Sequence, residues 1–352
     1  MRSAHISLHG CIRAHKQAWA LTGLGLETHL LSSRIAPTHS TSSYTTVQLW
    51  NANLPEGGWD DRQLKNAVKL IDKHVDLYHV HNEPNWMFRV VREITDKPVL
   101  FDIHDWTSIR NDPKQADEIK EEEFALRNAS GFVVPSLGYL NKIRSISTRP
   151  SIQIHSKVLG MFYPKNTVRS RPGVVFEGGV QGKKQYFDMN YDYRNWSTFA
   201  KEAVQKFGGE KFYLYSANTD EDFEEYKDEK IEIFPPQIYP DLIAQMSTHS
   251  CGLVGTPYPL PDFQDSMPNK LFEYVAAGIP CLVLNSPEAQ RYVEQNGLGM
   301  GISSASEVYD AMQKVKELRV DRERWKHTME SEISALAAFY EEVCRKRKIS
   351  QI

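Results

Sequence analysis

Two carboxylates lie eight positions apart around the predicted start of a helix, within the stretch Asp265–Leu284 (DSMPNKLFEYVAAGIPCLVL). The side chains of Asp265 and Glu273 could each accept hydrogen bonds from sugar hydroxyls. Lys270 and the unpaired N–H groups of the first helical turn could bind phosphate, because a helix N-terminus carries partial positive charge. This spacing favours a site for two sugar rings joined through a diphosphate.

The local pattern places these side chains on a loop–helix–strand unit. Ser266 is predicted as the N-cap and Pro268 as part of the first turn. Gly278 is predicted to end the helix in the left-handed conformation. The apolar run Ile279–Leu284 then predicts a buried parallel strand. A capped helix with solvated charges explains any one of these residues equally well, but it does not explain the whole string.

The bulk composition is typical of a globular protein with two domains of ordinary size. The chain has 352 residues, of which 41% are hydrophobic and 25% charged. A net charge of −3 gives no overall attraction to nucleic acid or to an anionic membrane. The sequence predicts neither a membrane-spanning segment nor a signal peptide. The cysteines lack the spacing of metal ligands, and we interpret them as reduced thiols of a cytoplasmic protein. They are Cys11, Cys251, Cys281 and Cys344.

In the first half of the chain, polar residues follow three predicted strands. Gly10 follows the first strand. Two later strands end in polar pairs, one in His79 with His81 and the other in His104 with Asp105. The alternation of strands and helices predicts a doubly wound α/β domain. Because the carboxyl ends of parallel strands share one edge of a sheet, we expect these residues to lie near one another and to form a site.

A second α/β domain is predicted after the segment Tyr163–Gly173, whose composition is typical of a linker. Its first strand ends in Gly178 and Gly179, and a long loop leads to Arg194 before the next helix. The planar guanidinium of arginine can engage two phosphate oxygens at once. The alternative cations in the loop are Lys183 and Lys184.

A spacing that could bind a metal occurs at Asp220 and Asp222. Both lie in the acidic run TDEDFEEYKDEK, which favours a solvated loop. We therefore predict no metal site from this chain.

The string PNKLFEYVAAGIPCLV resembles the donor-site signature of family-4 (group 1) glycosyltransferases, which have the GT-B fold. In that family an acidic residue, seven others and a Glu mark the nucleotide-sugar site. This chain has Asp265 where Glu is usual, and it keeps Glu273. The resemblance implies two Rossmann-like doubly wound domains facing across a cleft. Residues 1–165, joined by a C-terminal helix of about 330–352, would form the acceptor-side domain, and residues 166–329 would bind the nucleotide sugar.

The resemblance also implies roles for individual residues. Asp265 would contact the transferred sugar, Glu273 the ribose, and Arg194 the diphosphate. His104 would contact the sugar or the acceptor, and Asp105 would orient it. The family retains the anomeric configuration without a dedicated nucleophile. The predicted donor-binding set is Gly10, Gly178, Gly179, Arg194, Asn269, Lys270, Leu271 and Glu273, and the predicted catalytic set is His104, Asp105 and Asp265.

The implied reaction is metal-independent transfer of a sugar from a UDP- or GDP-sugar to an acceptor hydroxyl, with no separate cofactor. The acceptor could be a glycan, a lipid-linked sugar, a small molecule or a modified nucleic acid, and the oligomeric state stays open. One alternative is another GT-B enzyme, such as an epimerase or phosphorylase. Another is a catalytically silent sugar-nucleotide-binding protein. A third is a DNA-modifying sugar transferase, which would need a locally basic groove because the chain is acidic overall.

Overall fold

The computed structural model describes residues 1–8, 11–33, 44–49, 61–82, 84–110, 115–180, 194–216 and 223–350, and it divides into two compact units. The first unit contains Met1–Ser156 and Met329–Ile352, and the second contains Lys157–Thr328. The sequence predicts a boundary at 165–166. In the structure the chain instead leaves the first unit after Ser156, so the predicted linker Tyr163–Gly173 belongs to the second unit.

Strands and helices alternate along the described chain. The strands are β1 (Arg2–Ser7), β2 (Glu27–Ser32), β3 (Thr46–Leu49), β4 (Leu77–His81), β5 (Val99–Asp102), β6 (Gly131–Val134), β7 (Ser151–Gln153), β8 (Arg171–Gly178), β9 (Lys211–Ser216), β10 (Ile231–Phe234), β11 (His249–Gly255), β12 (Cys281–Leu284) and β13 (Gly299–Ile302). The helices are α1 (Ile12–Gly23), α2 (Asp61–Ile71), α3 (Trp86–Ile94), α4 (Thr107–Arg110), α5 (Ala116–Asn128), α6 (Leu137–Ile146), α7 (Ser197–Ala203), α8 (Tyr239–Met246), α9 (Asn269–Ala277), α10 (Pro287–Gln295), α11 (Val308–Val315), α12 (Val320–Glu323) and α13 (Ile333–Ser350).

The first unit is built on a parallel seven-stranded sheet with the order β3-β2-β1-β4-β5-β6-β7. Its central strands are buried on both faces, and aromatic side chains such as Phe88, Phe101 and Phe132 fill the core. The chain moves outward from β1 to β3 and then returns to β4 on the other side of β1. Strand order therefore reverses between β1 and β4, and ligands of such sheets bind outside the carboxyl ends of the strands at that point.

The second unit repeats this plan in a parallel six-stranded sheet with the order β10-β9-β8-β11-β12-β13. Trp196, Phe212 and Leu253 belong to its core. The order reverses between β8 and β11, so the same rule directs attention to the carboxyl end of β8. Both sheets agree with the predicted doubly wound α/β class.

The C-terminal helix α13 belongs to the first unit. Tyr340 on this helix is buried, and its hydroxyl lies 2.6 Å from Nδ1 of His79 at the centre of the sheet. Among the residues that the structure describes, no helix combines the length and the apolar character needed to span a bilayer.

Candidate functional site

Two glycines end strand β8 and leave room for two cations. Gly178 has a φ of +128°, a conformation that residues with a Cβ rarely adopt. A Cβ placed on Gly178 would lie 3.0 Å from Nζ of Lys270, and one placed on Gly179 would lie 3.2 Å from Nη1 of Arg194. The structure thus brings four of the predicted donor-binding residues together at the carboxyl end of β8.

Lys270 lies at the beginning of α9 in a partly buried position. Its Nζ is 3.8 Å from the centroid of the Phe176 ring. Burial lowers the pKa of this ammonium below its usual value; Glu177 and Glu273 act against that effect, and Arg194 adds to it. A bound anion would favour the charged form of Lys270, because opposite charge offsets the cost of desolvation.

Helix α9 presents an N-terminus without a side-chain cap. Pro268 is the N-cap residue, with φ −64° and ψ 140°, so the predicted capping role of Ser266 is wrong. The first turn carries no acidic residue, and its partial positive charge is not neutralised from within the helix. Gly278 ends the helix with a φ of +78°, which confirms the predicted left-handed C-cap.

The acidic side of this site is formed by buried carboxylates. Glu273 is only 5% exposed and Glu177 only 9%. The Glu177 N–H donates a hydrogen bond of 3.0 Å to the hydroxyl of Tyr274. Burial raises the pKa of the Tyr239 phenol well above its usual value, and Glu273 and Glu177 add to this shift. Glu273 therefore lies on a polar inner surface shared with the start of α8.

The other predicted residues of this region take different positions. Asp265 is partly buried in the turn after a short 3₁₀ helix, with φ −116° and ψ −2°. Asn269 is exposed at the first position of α9. Leu271 has a fully buried side chain, and its N–H donates to the carbonyl of Pro268 at 3.2 Å. The side chain of Leu271 thus packs in the core.

A second polar cluster lies at the carboxyl ends of β1, β4 and β5 in the first unit. His5 Nδ1 is 3.0 Å from His81 Nε2, and His81 Nδ1 is 3.2 Å from His104 Nε2. The carboxylate of Asp102 lies 3.2 Å from His79 Nε2, 3.4 Å from His81 Nδ1 and 3.6 Å from His104 Nε2. The structure therefore brings together the strand-end histidines that the sequence singles out.

Asp102 is the central acceptor of this cluster. Arg13 Nε donates to both of its carboxylate oxygens, at 3.1 and 3.0 Å, and Gln17 Nε2 donates at 3.2 Å. Burial alone would raise the pKa of Asp102, but Arg13 and His104 hold it well below its usual value. The carboxylate is therefore ionised in the interior, where only close partners make a charge tolerable.

The histidines of the cluster differ in charge. Burial lowers the pKa of three of them, so they are neutral at physiological pH; they are His5, His79 and His81. Burial acts in the same direction on His104, but the neighbouring Cys11 and Asp102 outweigh it and raise the pKa of His104 to about 10. His104 is thus the one cationic imidazole of this group.

Asp102 and Arg13 are functional candidates that the sequence reasoning missed. That reasoning assigns Asp105 as the partner of His104, whereas the carboxylate beside the ring is that of Asp102. The backbone carbonyl of Asp105 accepts a hydrogen bond of 2.6 Å from Asn82 Nδ2. An aspartate at the end of an otherwise apolar strand, VLFD, is the signal that could have identified Asp102.

Two sets of donor atoms in this cluster are close enough to hold a cation, with all atoms of a set within 4.8 Å. One set is His5, His79 and His81, and the other is His81, Asp102 and His104. Direct hydrogen bonds already join the rings of His5, His81 and His104, and His79 contacts Tyr340 and Asp102. Arg13 Nε donates to both oxygens of Asp102. We therefore interpret the cluster as a hydrogen-bonded network that fixes His104.

Some predicted residues lie outside the described part of the chain. These are Gly10, the loop lysines Lys183 and Lys184, and the acidic pair Asp220 and Asp222.

No protein-family model matches the sequence, and no curated protein matches it. Solved structures do share its fold at low identity. HepE of Anabaena, solved in complex with UDP and glucose, is 12% identical, with a TM-score of 0.66 and all of both chains covered. A glycosyltransferase from Rickettsia africae ESF-5 is 12% identical, with a TM-score of 0.64 over 97% of this chain and 98% of the other. AviGT4, a glycosyltransferase involved in avilamycin A biosynthesis, is 12% identical, with a TM-score of 0.59 and 98% of both chains covered. These similarities confirm the predicted GT-B fold class.

Proposed function

We propose that this protein transfers a sugar from a UDP- or GDP-sugar to an acceptor hydroxyl, without a divalent metal and with retention of anomeric configuration. One observation carries the proposal. Lys270 and Arg194 lie against the two glycines that end β8, beside the N-terminus of α9. HepE, which shares the fold, has been solved with UDP-glucose. The assignment to family 4 rests on the signature string around Glu273.

The leaving group determines what the second unit has to supply. When the glycosidic bond breaks, negative charge grows on the diphosphate and an oxocarbenium-like charge grows on the sugar. Preorganised donors stabilise such charge, because they need no reorganisation during the reaction. Arg194, Lys270 and the first-turn N–H groups of α9 are assigned this role, and together they take the place of a divalent cation.

The carboxylates are assigned to the sugar rings. Glu273, buried on α9, would accept hydrogen bonds from the ribose hydroxyls, and Asp265 would contact the transferred sugar. In the first unit, His104 is assigned to the sugar or acceptor. Asp102 and Arg13 hold this ring in place, so the positioning role predicted for Asp105 passes to Asp102 in the proposal.

The binding experiment measures the affinity of UDP and GDP by calorimetry in the presence of a metal chelator. We expect binding by the wild-type protein and a loss of tenfold or more, about 1.4 kcal/mol or more, in Arg194→Ala and in Glu273→Gln. Arg322→Ala is the matched control, because Arg322 is an exposed arginine of the same unit. The proposal fails if neither nucleotide binds, or if the control loses as much affinity as Arg194→Ala.

Turnover separates a transferase from a silent nucleotide-sugar-binding protein. Purified protein is incubated with a panel of UDP- and GDP-sugars, and release of the nucleoside diphosphate is followed with and without candidate acceptors. Slow hydrolysis of one donor, accelerated by an acceptor, is the expected result. Binding without release across the panel would support the silent alternative.

A further inference from the structure

Cys11 occupies a position that favours a thiolate. It directly precedes α1 as the N-cap residue, and its N–H donates to Ser7 Oγ at 2.8 Å. Burial alone would raise the pKa of this thiol, but His104 and the backbone N–H groups of Ala14 and Arg13 lower it below its usual value. The residue as a whole is partly exposed. A thiolate at a helix N-terminus beside a cation is the usual environment of a reactive cysteine.

His104 connects this sulfur to the buried network. Its Nδ1 lies 3.5 Å from Sγ of Cys11, and its Nε2 lies 3.6 Å from Oδ1 of Asp102. The order of groups is therefore thiol, imidazole and carboxylate, the same order in which nucleophilic cysteines are activated and their histidines oriented. Arg13 and Gln17 in turn hold Asp102.

We propose that Cys11 is a covalent modification site, at which its thiolate reacts with soft electrophiles and with hydroperoxides. With a maleimide, the sulfur forms a bond to the alkene carbon, and the adjacent carbon takes a proton. With a hydroperoxide, the sulfur takes the terminal oxygen together with its hydrogen and is oxidised to a sulfenic acid. The O–O bond breaks and the peroxide is reduced, its second oxygen leaving as an alcohol or as water after taking a proton from the imidazolium of His104 or from solvent.

The other cysteines provide internal references for this reactivity. Cys251 and Cys281 are buried; burial raises the pKa of Cys251 to about 12 and raises that of Cys281 further. Cys344 is partly exposed, like Cys11, but lies on α13. Selective reaction at Cys11 would therefore reflect the environment of its sulfur and not exposure alone.

A consequence for activity follows if the proposed function is correct, since this part rests on it. An adduct on Sγ would begin 3.5 Å from the ring of His104, which is assigned to the sugar or acceptor. It would remove the negative charge beside that imidazolium and occupy space next to it. Modification of Cys11 is therefore expected to stop transfer while leaving nucleotide binding by the second unit intact.

The test is a time course of N-ethylmaleimide labelling at about pH 6, followed by peptide mass spectrometry, because ordinary thiols are almost fully protonated there. Cys11 is expected to react about tenfold faster than Cys344 or more, and both buried cysteines are expected to stay unlabelled. In His104→Gln, labelling of Cys11 should fall to the rate of Cys344. Equal rates at Cys11 and Cys344 in the wild type would overturn the proposal, as would undiminished labelling of Cys11 in correctly folded His104→Gln. Circular dichroism and a cooperative thermal unfolding transition report on the folding of that variant.

Activity provides the second readout. The loss of transfer activity should be proportional to the fraction of Cys11 that N-ethylmaleimide has modified. The wild type and Cys344→Ser, which lacks the reference thiol, should show the same proportionality. If labelling is selective but no nucleotide binds, the proposed function fails and the modification site stands. If nucleotide binds and turns over but Cys11 is unreactive, only the modification site fails.

Discussion

The hydroxyl of Tyr274 accepts a hydrogen bond of 3.0 Å from the backbone N–H of Glu177, and this contact joins α9 to the end of β8 inside the second unit. The ring of Tyr274 has room because position 252 is a glycine: a Cβ there would lie 2.2 Å from the ring. The helix that carries Lys270 and Glu273 is thereby fixed to the strand that ends in Gly178. The two residues that make this contact, Glu177 and Tyr274, are 97 positions apart in the sequence.

Tyr274→Phe should weaken both stability and donor binding. The substitution leaves the buried N–H of Glu177 without its acceptor, which costs about 1–3 kcal/mol. Because Gly178 is the next residue, we also expect a lower UDP affinity. Urea unfolding and calorimetry measure the two effects. Tyr309→Phe, at a partly buried tyrosine packed against the core of the same unit, is the control, and an equal loss of UDP affinity there would contradict this account.

Gly178→Ala should reduce nucleotide affinity more than a glycine substitution elsewhere. Its φ of +128° is unfavourable for alanine, and the new methyl group would lie 3.0 Å from Nζ of Lys270. We expect about 1–3 kcal/mol of strain, with displacement of the lysine. Gly209→Ala is matched to it, since a Cβ at Gly209 would meet no atom within 4 Å. Thermal unfolding with and without UDP compares the variants, and identical behaviour would refute the packing argument.

Lys270→Gln should distinguish phosphate recognition from nucleoside recognition. If Lys270 binds the diphosphate, the variant loses about tenfold or more in UDP affinity and keeps the affinity for uridine. Raising the salt concentration should weaken UDP binding by the wild type more than by the variant. Calorimetry with both ligands tests this prediction. A loss of uridine binding as large as the loss of UDP binding would place Lys270 elsewhere in the site.

Asp102→Asn should be strongly destabilising. It leaves the buried guanidinium of Arg13 without a counter-charge, and breaking a buried ion pair from one side costs about 3–5 kcal/mol. The free energy of unfolding in urea provides the measurement. Asp76→Asn is the control, because its ion pair with Arg2 lies at the surface, where such pairs contribute little to stability. Equal effects of the two substitutions would contradict the central role of Asp102.

The contribution of His104 to stability should decrease as the solution becomes alkaline. Cys11, His81 and Asp102 face this imidazole, and its pKa is raised from 6.5 to about 10 in the folded protein. Because the folded protein binds this proton more tightly than the unfolded chain, the protonated imidazole contributes its full stabilisation below about pH 6.5. This contribution decreases above that pH and is lost as the pH rises through about 10. The difference in unfolding free energy between wild type and His104→Gln should therefore shrink between those values. A difference that grows with pH would show that the ring is neutral in the fold.

The sequence by itself determined the α/β class and the presence of the helix that the structure begins at Asn269. Those features depend on local rules: apolar spacing along a helix, a glycine at its end and short apolar strands. The two glycines at the end of β8 were also readable, because they follow an apolar strand directly, and Arg194 was readable because it directly precedes the next helical pattern. The predicted capping residue of this helix was wrong, because Ser266, a residue type that often caps helices, lies two positions before Pro268, which is the N-cap in the structure.

Only the tertiary structure decided which groups surround His104. Asp102 meets Arg13 from 89 positions away, and Cys11 meets His104 from 93 positions away. These contacts exist because β1, β4 and β5 are neighbours in the sheet, an order that no local pattern encodes. From the sequence, Asp105 was therefore chosen as the residue that orients His104, although it lies three positions after Asp102. The strand order instead places Asp102 beside the ring and the sulfur of Cys11 on its other side.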